Sequence, residues 1–221
     1  MTAQMKDKFI FHRGEYSVSA IEFPENFINI YSLGFNPKEL HTACYRGYIA
    51  AFSIYRNKLA LKNLHTNNGN DIENKPPLIN NKSAEIGNTN NYIEEYKNSY
   101  REFTYKNINL IIPYTGSILI TKDFIRERYI HMGFQSPLSY TVVIQLTFDN
   151  GNLTLAKDFS DIAKSVREKK LKIDKKYDNI FNWIDDCFDI SYSSKAKVLI
   201  DNMQLKQDTQ RKRPVNKRKK E

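Results

Sequence analysis

The sequence is short of glycine and cysteine and has no long apolar run, and each shortage removes a class of function. Its eight glycines are nowhere spaced as GxxxxGK or GxGxxG, so neither standard backbone cradle for a nucleotide phosphate is expected. Two cysteines, Cys44 and Cys187, are too few for a disulfide framework and fit small buried hydrophobes. The histidines His12, His41, His65 and His131 stand singly, without an HExxH or CxxC partner, so no metal or other cofactor is expected. No stretch approaches the roughly 18 apolar residues of a membrane-spanning helix. The opening MTAQMKDKFIFHRGEY has only Phe9-Ile10-Phe11 as an apolar run before His12-Arg13. A secretory signal is therefore not expected, and cytoplasmic residence is.

What the chain does have is enough apolar and aromatic material for one sizeable core: 221 residues, 40% hydrophobic and 13% aromatic. That length favours one main domain, assigned to residues 1–205. The net charge of +9 is unevenly placed. Residues 206–221, KQDTQRKRPVNKRKKE, hold eight Lys/Arg and two Asp/Glu, a net of +6, so the preceding residues are close to neutral.

The strongest pattern lies at 42–64. Cys44, Tyr48, Ala50, Phe52 and Ile54 alternate at the period of a half-buried strand, Tyr55-Arg56-Asn57-Lys58 is a polar turn, and Leu59 and Leu61 resume the alternation. The spacing predicts a β-hairpin that needs a partner for its apolar face. Residues 8–31 alternate loosely, with two short strands around His12-Arg13-Gly14-Glu15, and Phe27, Ile28 and Tyr31 have the spacing of a short helix. Pro113-Tyr114-Thr115-Gly116 divides two further strands. Tyr140 to Phe148 alternate over a long strand that turns at Asp149-Asn150-Gly151 and returns through Leu153 and Leu155.

Between these blocks, residues 65–91 are Asn-rich, contain Pro76-Pro77 and have few apolar side chains, so they read as a disordered insertion. Tyr92, Tyr96, Tyr100 and Phe103 follow at helical spacing, either as packing or as a stacking surface for bases. Near the end, Phe159, Ile162, Ala163 and Val166 line one face of a helix that Ser160 or Asp158 caps. Ile180, Phe181, Ile184, Cys187 and Phe188 line a second helix from about Asp178, with Trp183 off the stripe. Residues 196–200 read as an edge strand, and 206–221 as a disordered tail. The predicted class is α+β: a mainly antiparallel sheet, sandwich or open barrel, with two C-terminal helices.

Two blocks carry a resemblance. One comprises Thr42, Ala43, the Arg46-Gly47-Tyr48-Ile49-Ala50 run and Lys58-Leu59-Ala60-Leu61. The other comprises Thr115-Gly116, Leu119-Ile120, the Tyr129-Ile130-His131-Met132-Gly133-Phe134 run and Tyr140. The pattern resembles a group of small bacterial proteins of unassigned function, over less than half of the chain. The group has a polar or acidic residue and tryptophan where this chain has Phe52-Ser53. The resemblance implies a shared β-rich fold and transfers no catalytic residue.

Two functions follow as expectations. The first is a non-enzymatic binding module. Its tail cations Arg211, Lys212, Arg213, Lys217, Arg218, Lys219 and Lys220 would meet RNA or DNA by counterion release, and its hairpin surface would take a protein or a small anionic ligand. A tail of this composition also serves as a solubilising segment or an import signal. The second is an enzyme acting on nucleic acid or a nucleotide, with Arg46, Arg126, Arg128 and His131 gathered because Gly47 and Gly133 let their segments approach. There Arg46 would bind an anion and His131 would exchange protons. Against it stands the reading in which Arg46 pairs with Glu127 and His131 only secures a turn.

Overall fold

The computed structural model describes residues 2–68, 75–87, 102–131 and 133–168. Among the described residues, ten strands form one mixed, largely antiparallel sheet: β1 Lys8–Phe11, β2 Gly14–Ile21, β3 Tyr48–Tyr55, β4 Lys58–Asn67, β5 Glu85–Gly87, β6 Glu102–Tyr105, β7 Leu110–Ile111, β8 Gly116–Phe124, β9 Tyr140–Asp149 and β10 Asn152–Asp158. The order is β10-β9-β8-β2-β1-β3-β4-β6-β5, with β7 also on β4. The path closes on itself, because Asn152 of β10 is paired with Lys58 of β4. Leu59 N–H donates to Gly151 O at 2.7 Å and Leu153 N–H to Asn57 O at 3.1 Å across that seam. Seven strands thus form a ring, and β4 serves β10, β7 and β6 in turn along one edge.

Three hairpin turns set the registers: His12-Arg13, Arg56-Asn57 and Asn150-Gly151. All six residues have positive φ, as a two-residue type I′ turn requires, because only that twist matches the strands it joins. The pairing of β1 with β3 is parallel, with Phe9 opposite Phe52. A parallel neighbour demands a long crossover, and residues 22–47 supply it. Their Phe27 packs on Phe52 (ring centroids 4.8 Å) and on Tyr114 (5.2 Å), and Phe35 packs on Tyr105 (5.7 Å). The crossover thereby contributes Phe27, Ile30 and Phe35 to the same core as Phe9, Phe52, Leu59, Leu61, Ile118, Ile120, Leu146 and Phe148.

The helix expected around Phe27 to Tyr31 is replaced by two 3-10 turns, Pro24–Asn26 and Tyr31–Leu33. The reason is the buried stretch between them: Phe27 and Ile30 point into the core while Tyr31 is 62% exposed. Phe103, expected on a helix, lies in β6 opposite Thr66 of β4. Its companions Tyr92, Tyr96 and Tyr100 lie outside the described residues. So do the helix expected from Asp178, the strand at 196–200 and the tail.

Parts of the Asn-rich segment belong to the sheet and its core. His65 to Asn67 complete β4, Glu85–Gly87 pair with β6, and Ile79 is 2% exposed. The Asn residues supply geometry there: Asn80 and Asn81 take positive φ between the paired Ile79 and Lys82, and Asn80 Nδ2 donates to Ile108 O at 2.7 Å.

The first C-terminal helix, α1 Ser160–Arg167, packs on the outside of the sheet. Phe159 and Ala163 meet Ala20, Leu119 and Val143. A bulge between Val18 and Ala20 in β2 brings Ala20 to this face while Val18 and Ile21 stay in the inner core. The N-cap position falls on Phe159, not on the expected Ser160 or Asp158, and no side chain caps the helix, because Phe159 is drawn into the core; Asp158 Oδ1 accepts the Ser160 N–H at 2.8 Å and Ser160 Oγ accepts Val143 N–H at 3.0 Å. No helix among the described residues is long and apolar enough to cross a membrane.

Candidate nucleic-acid interface

Arg46 is paired with a carboxylate from the start of the chain. Its guanidinium donates twice to the Asp7 carboxylate, at 2.8 and 2.6 Å, and Nε donates to Tyr48 O at 3.0 Å. It also lies over the Tyr48 ring, 4.6 Å from the centroid, with Phe134 at 5.9 Å. Asp7 Oδ1 accepts Ala50 N–H at 2.6 Å, so the pair is bolted to the first residues of β3. Burial discourages the Arg46 charge, but Asp7, Tyr48 and Cys44 together outweigh it and the guanidinium's pKa lies above its ordinary value. The carboxylate that meets Arg46 is thus Asp7, not Glu127. The fork that would grip an incoming anion two-fold is already closed on Asp7.

Gly47 makes a close backbone approach, and Gly133 meets the segment before β1 without bringing His131 to the hairpin. Gly47, at φ 73°, lies so close to the neighbouring chain that a Cβ would sit 2.1 Å from Lys38 O. Lys38 is held on both sides by Asn67, which accepts its N–H at 2.8 Å and donates to its carbonyl at 2.7 Å. Gly133 forms a parallel bridge with Ala3, and Gln4 N–H donates to Gly133 O at 2.8 Å. Met5 N–H in turn donates to Ala43 O at 2.8 Å. The segment before β1 therefore joins the 42–50 block to the 126–136 block. The two sequence patterns meet through residues 3–7, which sequence spacing gave no reason to expect.

His131 stays out of this junction. It is exposed and lies edge-on to Tyr129, with ring centroids 5.1 Å apart. Tyr129 is perpendicular to Phe124 at 6.5 Å, and Phe124 contacts Tyr140 at 5.2 Å. Arg126, Glu127 and Arg128 form a 3-10 turn beside this row, all exposed. Arg126, Arg128 and His131 thus share one surface, and Arg46 lies in the structural junction behind it.

Cys44 is 1% exposed, and burial pushes its thiol pKa up. That is the reverse of what a nucleophile needs. Lys6 is a group that sequence reading passed over. Its Nζ donates to Ser19 Oγ at 2.6 Å, Ser19 shares a 2.5 Å hydrogen bond with Thr121, and Nζ lies 4.7 Å from the Tyr140 ring centre. Burial lowers its pKa to about 7. In sequence Lys6 is one cation among Lys6, Asp7 and Lys8, so nothing local distinguished it. The described residues contain no cluster of three or more His, Cys, Asp or Glu side chains placed to hold a metal ion.

Comparison with protein-family models, with curated proteins and with solved structures gives no match for the chain.

Proposed function

We propose that the chain is a non-enzymatic, cytoplasmic binding module that engages nucleic acid as a polyanion, with its basic C-terminal segment supplying most of the attraction. The observation that carries the reading is the placement of charge: +6 of the net +9 falls in residues 206–221. Arg211, Lys212, Arg213, Lys217, Arg218, Lys219 and Lys220 each release counterions when they approach phosphate, a gain that depends on salt and hardly on base sequence. The enzymatic alternative draws less support. Arg46 is spent on Asp7, Cys44 is buried with its thiol pKa raised, and among the described residues His131 contacts an aromatic ring and no carboxylate. A general base needs an orienting partner and a reachable substrate proton.

The test compares the full chain with a full-length variant in which those seven tail cations are glutamine. Both are titrated against fluorescein-labelled 20-nucleotide RNA and DNA over a salt series. The expected result is binding by the native chain whose log–log salt slope flattens by up to about 5 in the variant, at roughly 0.7 for each single-strand phosphate that is no longer neutralised. Equal slopes and affinities for the two proteins, or no binding by either, would overturn the reading.

A further inference from the structure

We propose that the Phe124, Tyr129 and His131 rings, flanked by the Arg126 and Arg128 guanidiniums, form a stacking surface for the unpaired bases of single-stranded nucleic acid, an inference that rests on the nucleic-acid reading above.

Three observations carry it. The first is exposure: Phe124 is 36% exposed, Tyr129 46% and the intervening Ile130 50%. Phe124 and Tyr129 are also in contact with each other, so two exposed rings lie side by side on this surface. The second is that the row is held in place. Ile125 N–H donates to Ser139 O at 2.8 Å, and the 3-10 turn closes through Arg128 N–H to Ile125 O at 3.0 Å and Tyr129 N–H to Arg126 O at 3.1 Å. Gln135, only 7% exposed, then grips both backbone groups of Ile130. Its Oε1 accepts Ile130 N–H at 3.0 Å and its Nε2 donates to Ile130 O at 2.7 Å. The rings are therefore presented on an ordered scaffold, and a base that stacks on them has little ordering entropy to overcome.

The third is charge. Lys122, Arg126 and Arg128 share the segment that carries the rings with Asp123 and Glu127, a net of +1, and all five are exposed. Arg167, which donates to Tyr140 O at 2.7 Å, is close enough to feel the charge of Arg128. Its pKa is lowered first by burial and then by that neighbour, with Glu168 offsetting. Like charges that repel one another in this way are relieved by a phosphate. Stacking on rings requires a base face that is open, which single strands offer and duplexes do not.

The test uses the full chain, Tyr129→Ala, His131→Ala and Arg126→Gln/Arg128→Gln, with thermal unfolding as a control. Ligands are a 20-nucleotide oligo-U, an oligo-dT and a 20-base-pair duplex. Tyr129→Ala is expected to weaken single-strand binding about 5- to 150-fold, the range for one base on one ring, and to leave duplex binding unchanged. Arg126→Gln/Arg128→Gln is expected to flatten the single-strand salt slope by about 1.4. His131→Ala keeps the test open should Tyr129→Ala unfold, and is expected to lower single-strand affinity alone. If the ring variants bind single strands and duplex as the native chain does, while the tail-neutralised chain loses both, this proposal falls and the tail reading stands. If the native chain binds none of the three ligands, both fall together.

Discussion

Removing Arg46 tests the claim that this side chain is structural. The variant Arg46→Met deletes two charge-assisted hydrogen bonds to Asp7, at 2.6 and 2.8 Å, and one to Tyr48 O at 3.0 Å, while keeping an unbranched stem against the Tyr48 ring. The Asp7 side chain, 10% exposed, is left with Ala50 N–H as its remaining donor from this cluster. Stranding a carboxylate in that way costs about 3–5 kcal/mol. Asp7→Leu strands the guanidinium instead, with side-chain exposure of 26%, and a similar loss is expected. The double variant strands neither charge, so it should lose less than the two single losses added, by about 2–3 kcal/mol. Urea denaturation of the native chain, both single variants and the double variant supplies the cycle. A cost below about 1 kcal/mol for Arg46→Met would refute the reasoning. It would mean that the pair does not fasten the N-terminal segment to β3, and it would restore Arg46 as a group able to meet an anion.

Two further outcomes are expected. Lys6 has a folded pKa of about 7 against an ordinary 10.5, lowered by burial. Between those values the unfolded chain holds a proton that the fold has released, so this group makes stability rise with pH from about 7 to 10.5 and leaves it level below 7. Relative to Lys6→Met, the native chain should therefore gain stability across that window by up to about 1.4 kcal/mol per pH unit; parallel denaturation curves for the two proteins at pH 6.5, 8 and 9.5 would count against the buried amine. Gly47→Ala should cost more than Gly34→Ala, although both glycines have positive φ. At Gly34 a Cβ meets only Pro77 at 3.5 Å, whereas at Gly47 it meets Lys38 O at 2.1 Å. The Gly34 variant carries the left-handed cost of about 1–2 kcal/mol alone, and a Gly47 variant of equal stability would mean that the close approach to Lys38 is not needed.

Much of the sheet could be read from local pattern, because strand alternation and hairpin turns are written within about ten residues of each other. The hairpin turns at Arg56-Asn57 and Asn150-Gly151 and the helix after Phe159 fall where period and turn chemistry place them, but the first hairpin expected at 42–64 starts only at Tyr48, leaving Cys44 before the strand, and runs on to Asn67. The helix expected near Phe27 shows the limit. Its i, i+1, i+4 spacing is local, yet Phe27 and Ile30 are recruited by Phe52, Tyr114 and their neighbours in the core, and the backbone bends to 3-10 turns to deliver them. Ile79 is a second case, since a low-complexity stretch gives no sign that one of its side chains will be buried.

For the site, the sequence by itself determined the charge of residues 206–221, the absence of phosphate loops and metal spacings, and the grouping of Arg126, Arg128 and His131 on one short segment. The tertiary structure alone decided partnership. Asp7, 39 positions from Arg46, became its counterion because the parallel pairing of β1 with β3 lays the chain start against Tyr48 and Ala50. Phe124 joined Tyr129 because Ile125 is tied to Ser139, and Lys6 came to face Ser19 because β1 and β2 are neighbours. Charge and turn chemistry are properties of single residues and their near neighbours, so the sequence states them directly. Which carboxylate meets which guanidinium depends on strand order, and strand order is fixed by burial summed over the whole sheet.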